Sequence, residues 1–354
     1  MTTADLQRTE RYLAHDPQNP LLLAEAVDTA LSLGLVDKAR RHVDAAMRMA
    51  SNDAFMRNRH GNVLLAEGRL EEAEAVFAEL IQHERNANIA HNLASVYLRT
   101  ARPAQAREVL APYMTAPDAP AAAVTTYLRA LHHLGDTAQA LEAANAHLPR
   151  CGGDPQFLAV ASLIALDEGR LQEASQWSSA ALAGSARPME ALVAAGSHAL
   201  AREDVQKARA FFKEVLAKHP TEGRSLAGLG TASLLLGDAR TASEHFASAL
   251  AAMPGNSEIL QSLGWSLVMQ GQTRAAEDAF RSAAAVDPET SEPLGGLAAV
   301  CAVEGRRAEA EGYISQAHRL DPQDAGAKLA RAILSGEATD RGKLQALVIR
   351  SRGS

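Results

Sequence analysis

The chain of 354 residues is poor in several things, and each shortage narrows what it can be. It has two cysteines, Cys151 and Cys301, with no metal-like spacing between them. They read as free thiols and not as a disulfide framework. Aromatic residues make up only 4% of the chain, less bulk than a packed sheet of this length uses. No window approaches 18 consecutive apolar residues, so no membrane-spanning helix and no direct membrane insertion are expected. The opening MTTADLQRTERYLAHDP scatters charges where a secretory signal needs an apolar run, so a cytoplasmic location is expected. Basic runs are missing too. The 35 Lys and Arg residues are dispersed and the net charge is -7, which opposes a nucleic-acid partner.

Alanine is what the chain has in excess: 74 residues against 24 glycines. Small side chains at that density suit many helices packed closely together, and alanine is the strongest helix former. Apolar residues at 47% and charged ones at 22% are ordinary for a folded globular chain and exclude a disordered one. The composition therefore predicts an all-α protein.

Self-comparison reveals a period. Gly34 is followed five residues later by Ala39, and Gly68 by Ala73. The series continues with Gly135 and Ala140, Gly169 and Ala174, Gly237 and Ala242, Gly271 and Ala276, Gly305 and Ala310. Two members lack the glycine: Ala101 leads to Ala106 and Glu203 leads to Ala208. Every step between the nine alanines is 34 residues except one of 33. Nine phased occurrences identify an internal repeat.

Four residues after the alanine stand Val43, Phe77, Leu110, Phe212, Phe246, Phe280 and Ile314 in seven of the units, with Ala144 and Ser178 in the other two. Residues such as Leu80, Val215, Ala249 and Ala283 follow three further on, completing one apolar helical face. Twelve residues before the alanine come small residues such as Gly61, Ala94, Gly196, Gly230 and Gly264, on a second helix whose partner can approach closely. Pro220, Pro254, Pro288 and Pro322 follow the alanine by twelve residues and end the unit. Asp53, Asp154, Thr221 and Asn256 are expected N-caps. Each unit is predicted to be helix, tight turn, helix, loop.

With Leu263-Gly264, Ala276, Phe280, Ala283 and Pro288 in one unit, the pattern resembles the tetratricopeptide repeat. The resemblance implies a right-handed superhelical α-solenoid: a capping helix in 1–19, nine repeats over 20–322, and capping helices in 323–354, the last one from Lys343 to Arg350. Proline- and glycine-rich breaks are expected near 112–120, where Pro112 shortens a helix, and near 148–155.

Little chain is left for a catalytic domain, and no enzyme is expected. Phosphate-loop, zinc-protease, nucleophile-elbow and paired-cysteine motifs are missing. His132 and His133 are adjacent, but neighbouring helical residues point about 100° apart and do not clasp one metal. No cofactor and no metal are predicted. Cys301 falls where other units place leucine and is expected in the core, whereas Cys151, in a glycine-rich stretch, is expected to be exposed.

The resemblance further implies that first helices line a concave groove which binds one or more proteins or peptides. Carried over position by position, it places Asn58, Asn62, His91, Arg99, Arg129 and His132 on that face in the N-terminal half. In the C-terminal half it places Leu200, Leu234, Gln261, Trp265 and Met269. The groove is expected to be polar and mildly cationic at one end and apolar at the other. Trp265 is its expected anchor, since a large rigid ring makes much contact for little lost entropy. Asn62 matches relatives that clamp a C-terminal carboxylate, but Asn58 stands where they carry lysine, so that clamp is incomplete. A non-enzymatic interaction scaffold is the leading expectation. A peptide-sensing regulator, or a cytoplasmic-side assembly factor of a secretion, pilus or polysaccharide machine, are the alternatives, and self-association through the ends is compatible with either.

Overall fold

The computed structural model describes residues 2–116 and 118–337, and every regular element among them is helical. They fall into two compact units, one ending at Gly169 and the other beginning at Arg170. The first unit holds α1 (Thr3–His15), α2 (Pro20–Ser32), α3 (Val36–Met49), α4 (Ala54–Glu67), α5 (Leu70–His83), α6 (Ala87–Arg99), α7 (Pro103–Leu110), α8 (Ala121–His133), α9 (Thr137–Cys151) and α10 (Pro155–Asp167). The second holds α11 (Leu171–Ala181), α12 (Met189–Ala201), α13 (Val205–Leu216), α14 (Gly223–Leu235), α15 (Ala239–Ala252), α16 (Ser257–Gln270), α17 (Thr273–Val286), α18 (Glu292–Val303), α19 (Arg307–Leu320) and α20 (Ala325–Leu334).

Within each unit the even-numbered first helices and odd-numbered second helices stack in sequence. Each first helix also touches the next one, as in α2 on α4, α6 on α8, α12 on α14 and α18 on α20. Neighbour-only contact of this kind defines an α-solenoid.

Two local devices build the pairs. The tight turn inside a pair closes by a long backward bond, such as Arg69 N–H to Leu64 O at 3.0 Å and Gln272 N–H to Leu267 O at 2.9 Å. That bond requires a left-handed residue before it, supplied by Gly68 and Gly271. The loops between pairs instead end in side-chain caps: Asp53, Asn86, Asp154 and Asn256 each accept a backbone N–H at the start of a first helix.

Packing inside a pair rests on a phenylalanine set against glycine. A Cβ on Gly264 would lie 2.7 Å from the Phe280 ring and one on Gly296 2.5 Å from it, so two first helices close on one ring. Gly196 and Gly228 hold Phe212 in the same way. Each of these rings is fully packed.

Three details differ from expectation. Thr221 is not a cap; α14 is capped by Glu222, which accepts from Arg224 and Ser225 N–H. The break expected over 148–155 is shorter than that stretch: α9 runs through Pro149, in its last turn, as far as Cys151, and only 152–154 lie between it and α10. Cys151 is consequently buried, at 3% exposure, and not a loop thiol. The two compact units meet along the chain in the turn after α10. Pro112 does stop α7 after eight residues, and a single 3-10 turn, Ala111–Tyr113, follows. The closing helix expected at Lys343–Arg350 lies outside the described residues.

Candidate functional site

The first helices present one face in each unit, and the two faces differ in what their side chains are free to do. In the first unit the polar residues bind one another across the repeats. Asn92 Nδ2 donates to Asn58 Oδ1 at 3.0 Å, and Thr126 Oγ1 lies 2.9 Å from His91 Nδ1. Arg99 donates to the Leu65 carbonyl at 2.6 Å, and Arg59 donates to Asp28 at 2.7 Å. His132 Nε2 meets Asp167 Oδ2 at 2.6 Å. Every one of these links joins a first helix to its neighbour, so the ladder fixes the spacing of the stack.

Charge on this face is correspondingly restrained. Burial pushes the His91 imidazole below its ordinary pKa, and the Arg129 charge pushes it the same way. His133 is lowered by burial, then by His132 and Arg129. Both rings are thus held neutral near pH 7. Arg129 is half-buried among them, and Asn62 is half-buried with no side-chain bond among the described residues.

The second unit does not present the apolar surface that the sequence suggested. Leu234 is 5% exposed and packs with Phe246 and Ile259. Trp265 is 6% exposed, with its ring edge-to-face on Phe280 at 5.2 Å between centroids. Leu200 and Met269 pack against the core from its margin. The physical reason is common to all four. First helices are covered by their own pair partner, by the preceding second helix and by adjoining first helices, so apolar residues there are drawn into the contact between pairs.

What lines the open face instead is acidic. A cavity of about 340 Å³ spans α14, α16, α18 and the start of α20, bounded by Thr231, Glu258, Gln261, Ser262, Glu292 and Asp324, with an edge of Trp265 in its wall. Gln261, predicted for this face, lies here and donates to Ser257 Oγ at 3.3 Å. Glu258 and Glu292 are exposed and have no ion-pair partner among the described residues.

Asp324 is different, at only 4% exposure. It accepts from Ser291 Oγ at 3.0 Å and from the Ala327 N–H at 2.7 Å as the cap of α20. Burial raises its pKa above the usual aspartate range, and the nearby Glu292 charge adds to the rise. A Cβ on Gly295 would lie 2.0 Å from its Oδ1, so the carboxylate packs where only a glycine leaves it room.

Sequence reasoning missed these carboxylates, although a signal existed. Glu258 and Glu292 stand one 34-residue period apart and therefore occupy the same phase on successive first helices. Among the described residues no cluster of three or more His, Cys, Asp or Glu has metal-holding proximity, and no helix is long and apolar enough to cross a membrane.

Comparison with known proteins places this architecture. Family models of the tetratricopeptide repeat match residues 24–88, 64–116, 199–264 and 233–300, together more than half of the chain. No curated protein matches it. Among solved structures, a tetratricopeptide repeat protein from Parabacteroides merdae ATCC 43184 is 14% identical with a TM-score of 0.45, covering 71% of this chain and 98% of that one. The pilF protein of Pseudomonas aeruginosa is 19% identical with a TM-score of 0.49, over 60% and 96% of the respective chains. YrrB, a tetratricopeptide repeat protein with an unusual peptide-binding site, is 19% identical with a TM-score of 0.42, over 54% and 98%. On the phased alanines, the helix pairs and the family matches together, the chain belongs to the tetratricopeptide repeat family.

Proposed function

We propose that the chain is a non-enzymatic interaction scaffold and that the first-helix face of its second unit receives a basic segment of a partner protein. Repeats of this family serve in general as surfaces for protein–protein contact, and stacked helix pairs offer extended faces for it. The observation that carries the finer reading is the pair Glu258 and Glu292, exposed, unpaired and repeated in phase. Two exposed carboxylates on successive helices suit lysine or arginine side chains spaced along an extended or helical segment. Gln261 and Ser262 supply polar groups between them. Attraction of this kind speeds encounter and weakens as salt rises.

The test is affinity capture at low and high salt with the wild type beside a Glu258→Lys, Glu292→Lys double variant. Wild type should retain a partner that salt releases and that the variant fails to hold. A lysine- and arginine-bearing peptide from that partner should then bind the wild type at least about tenfold more tightly than the variant, as a lost pair of charge contacts implies. A set of partners identical for both chains at both salt concentrations would sink the reading.

A further inference from the structure

A second cavity, of about 440 Å³, opens between the second helices α11 and α13 over the C-terminal half of α12. The repeat phase sets this pair apart. Phe212, Phe246 and Phe280 fill the position four after the phased alanine in later pairs, whereas this pair carries Ser178. Ser178 lines the cavity beside Ser175 and Ser179, so one helix contributes three serines to its wall. Ser178 donates to the Ser175 carbonyl at 3.2 Å. The hydroxyls of Ser175 and Ser179 have no partner among the described residues.

The charges around the cavity are unevenly committed. Arg187 is held by Glu214 through bonds of 2.7 and 2.6 Å. Asp204 caps α13 by accepting the Lys207 N–H at 3.2 Å. Arg202 and Lys207, both exposed at its rim, have no ion-pair partner among the described residues. His198 also lines it, and its Nδ1 is buried with no hydrogen-bond partner.

We propose that this cavity binds a small phosphomonoester, with Arg202 and Lys207 on the phosphoryl oxygens and Ser175, Ser179 and His198 as further donors. The argument is one of donor supply. A guanidinium fork, an ammonium, two uncommitted hydroxyls and an imidazole exceed what the two oxygens of a carboxylate accept, and they match the three terminal oxygens of a phosphoryl group. The volume lies within the range of small-molecule sites and leaves room for the organic body of the ester. His198 supports the assignment from another direction. Burial lowers its pKa, and the Arg202 and Lys207 charges lower it further, so a bound dianion offsets an existing strain on the protonated ring. The site uses neither Glu258 nor Glu292 and stands independently of the partner-binding face.

The experiment follows the His198 ring by NMR while inorganic phosphate, phenyl phosphate or acetate is titrated into the full chain. Phenyl phosphate and inorganic phosphate should both shift the His198 signal saturably and raise its pKa, with phenyl phosphate the tighter and acetate at least about tenfold weaker. An Arg202→Gln, Lys207→Gln variant should lose at least about tenfold in phosphate affinity. Arg240→Gln, at a cation exposed on α15, should not change it, and circular dichroism checks that both variants keep their helices. Equal affinity for acetate and phosphate, or full phosphate affinity in the double variant, would overturn the proposal. Tighter binding of inorganic phosphate than of phenyl phosphate would overturn the ester in favour of the free anion.

Discussion

Ala101 and Glu203 adopt φ of 56° and 57° in turns where seven of the repeats use glycine. A side chain in that left-handed region brings Cβ against the following carbonyl, a strain of roughly 1–2 kcal/mol. Glycine removes the strain but frees the unfolded chain, so the net gain is smaller. Ala101→Gly and Glu203→Gly should each raise stability by about 0.5–1 kcal/mol, read as a higher urea midpoint at unchanged slope. Gly237→Ala, the reverse change at φ 80°, should lower it. Midpoints that fail to move in these opposite directions would show that the turns relax around their side chains. These positions were legible in the sequence, because the phase located the turn even where its glycine was missing. The surroundings of Trp265 were not. Its burial depends on Phe280 in the next helix, and no single-helix pattern contains that contact.

At the scale of the helix, amphipathicity served the second helices better than the first. In α17 the buried residues Ala276, Ala279, Phe280 and Ala283 trace one stripe, which the sequence pattern marks directly. In α18 nine residues are buried, from Pro293 to Ala302, and almost no face is left to read. Periodicity therefore does not mark the open side of such a helix, and the positions carried over from the family resemblance put Leu234 and Trp265 on it although both are buried. The phenylalanine held between two glycines gives a sharper handle on this packing. Phe280→Ala should cost about 3–5 kcal/mol through the cavity it leaves. Gly264→Ala should cost about 1–3 kcal/mol, because its methyl would meet the ring at 2.7 Å. Combined, the two should cost clearly less than their sum, since the methyl enters space the ring has vacated. Strict additivity in a double-mutant cycle would mean that ring and glycine do not share one contact.

For the whole molecule, the important property is that the helix contacts among the described residues run between near neighbours in each stack. Stability in such an array is a sum of repeat terms and nearest-neighbour terms, so a local defect has a limited reach. Hydrogen exchange tests this directly with Phe280→Ala. Amides in α16, α17 and α18 should exchange faster by a factor that follows the lost stability, while protection in α2 to α6 stays as in the wild type. Uniform acceleration along the chain would instead mark a single cooperative unit. The same locality explains why function was less legible than fold. A repeat must keep its alanine, its ring and its turn in phase in order to stack, and nine copies make that message loud. Its exposed positions answer to no such constraint. Glu258 and Glu292, or Ser178 in the place of a phenylalanine, are departures carried by one or two repeats. They are read only once the regular positions have been accounted for, and on this chain those departures are where binding is to be sought.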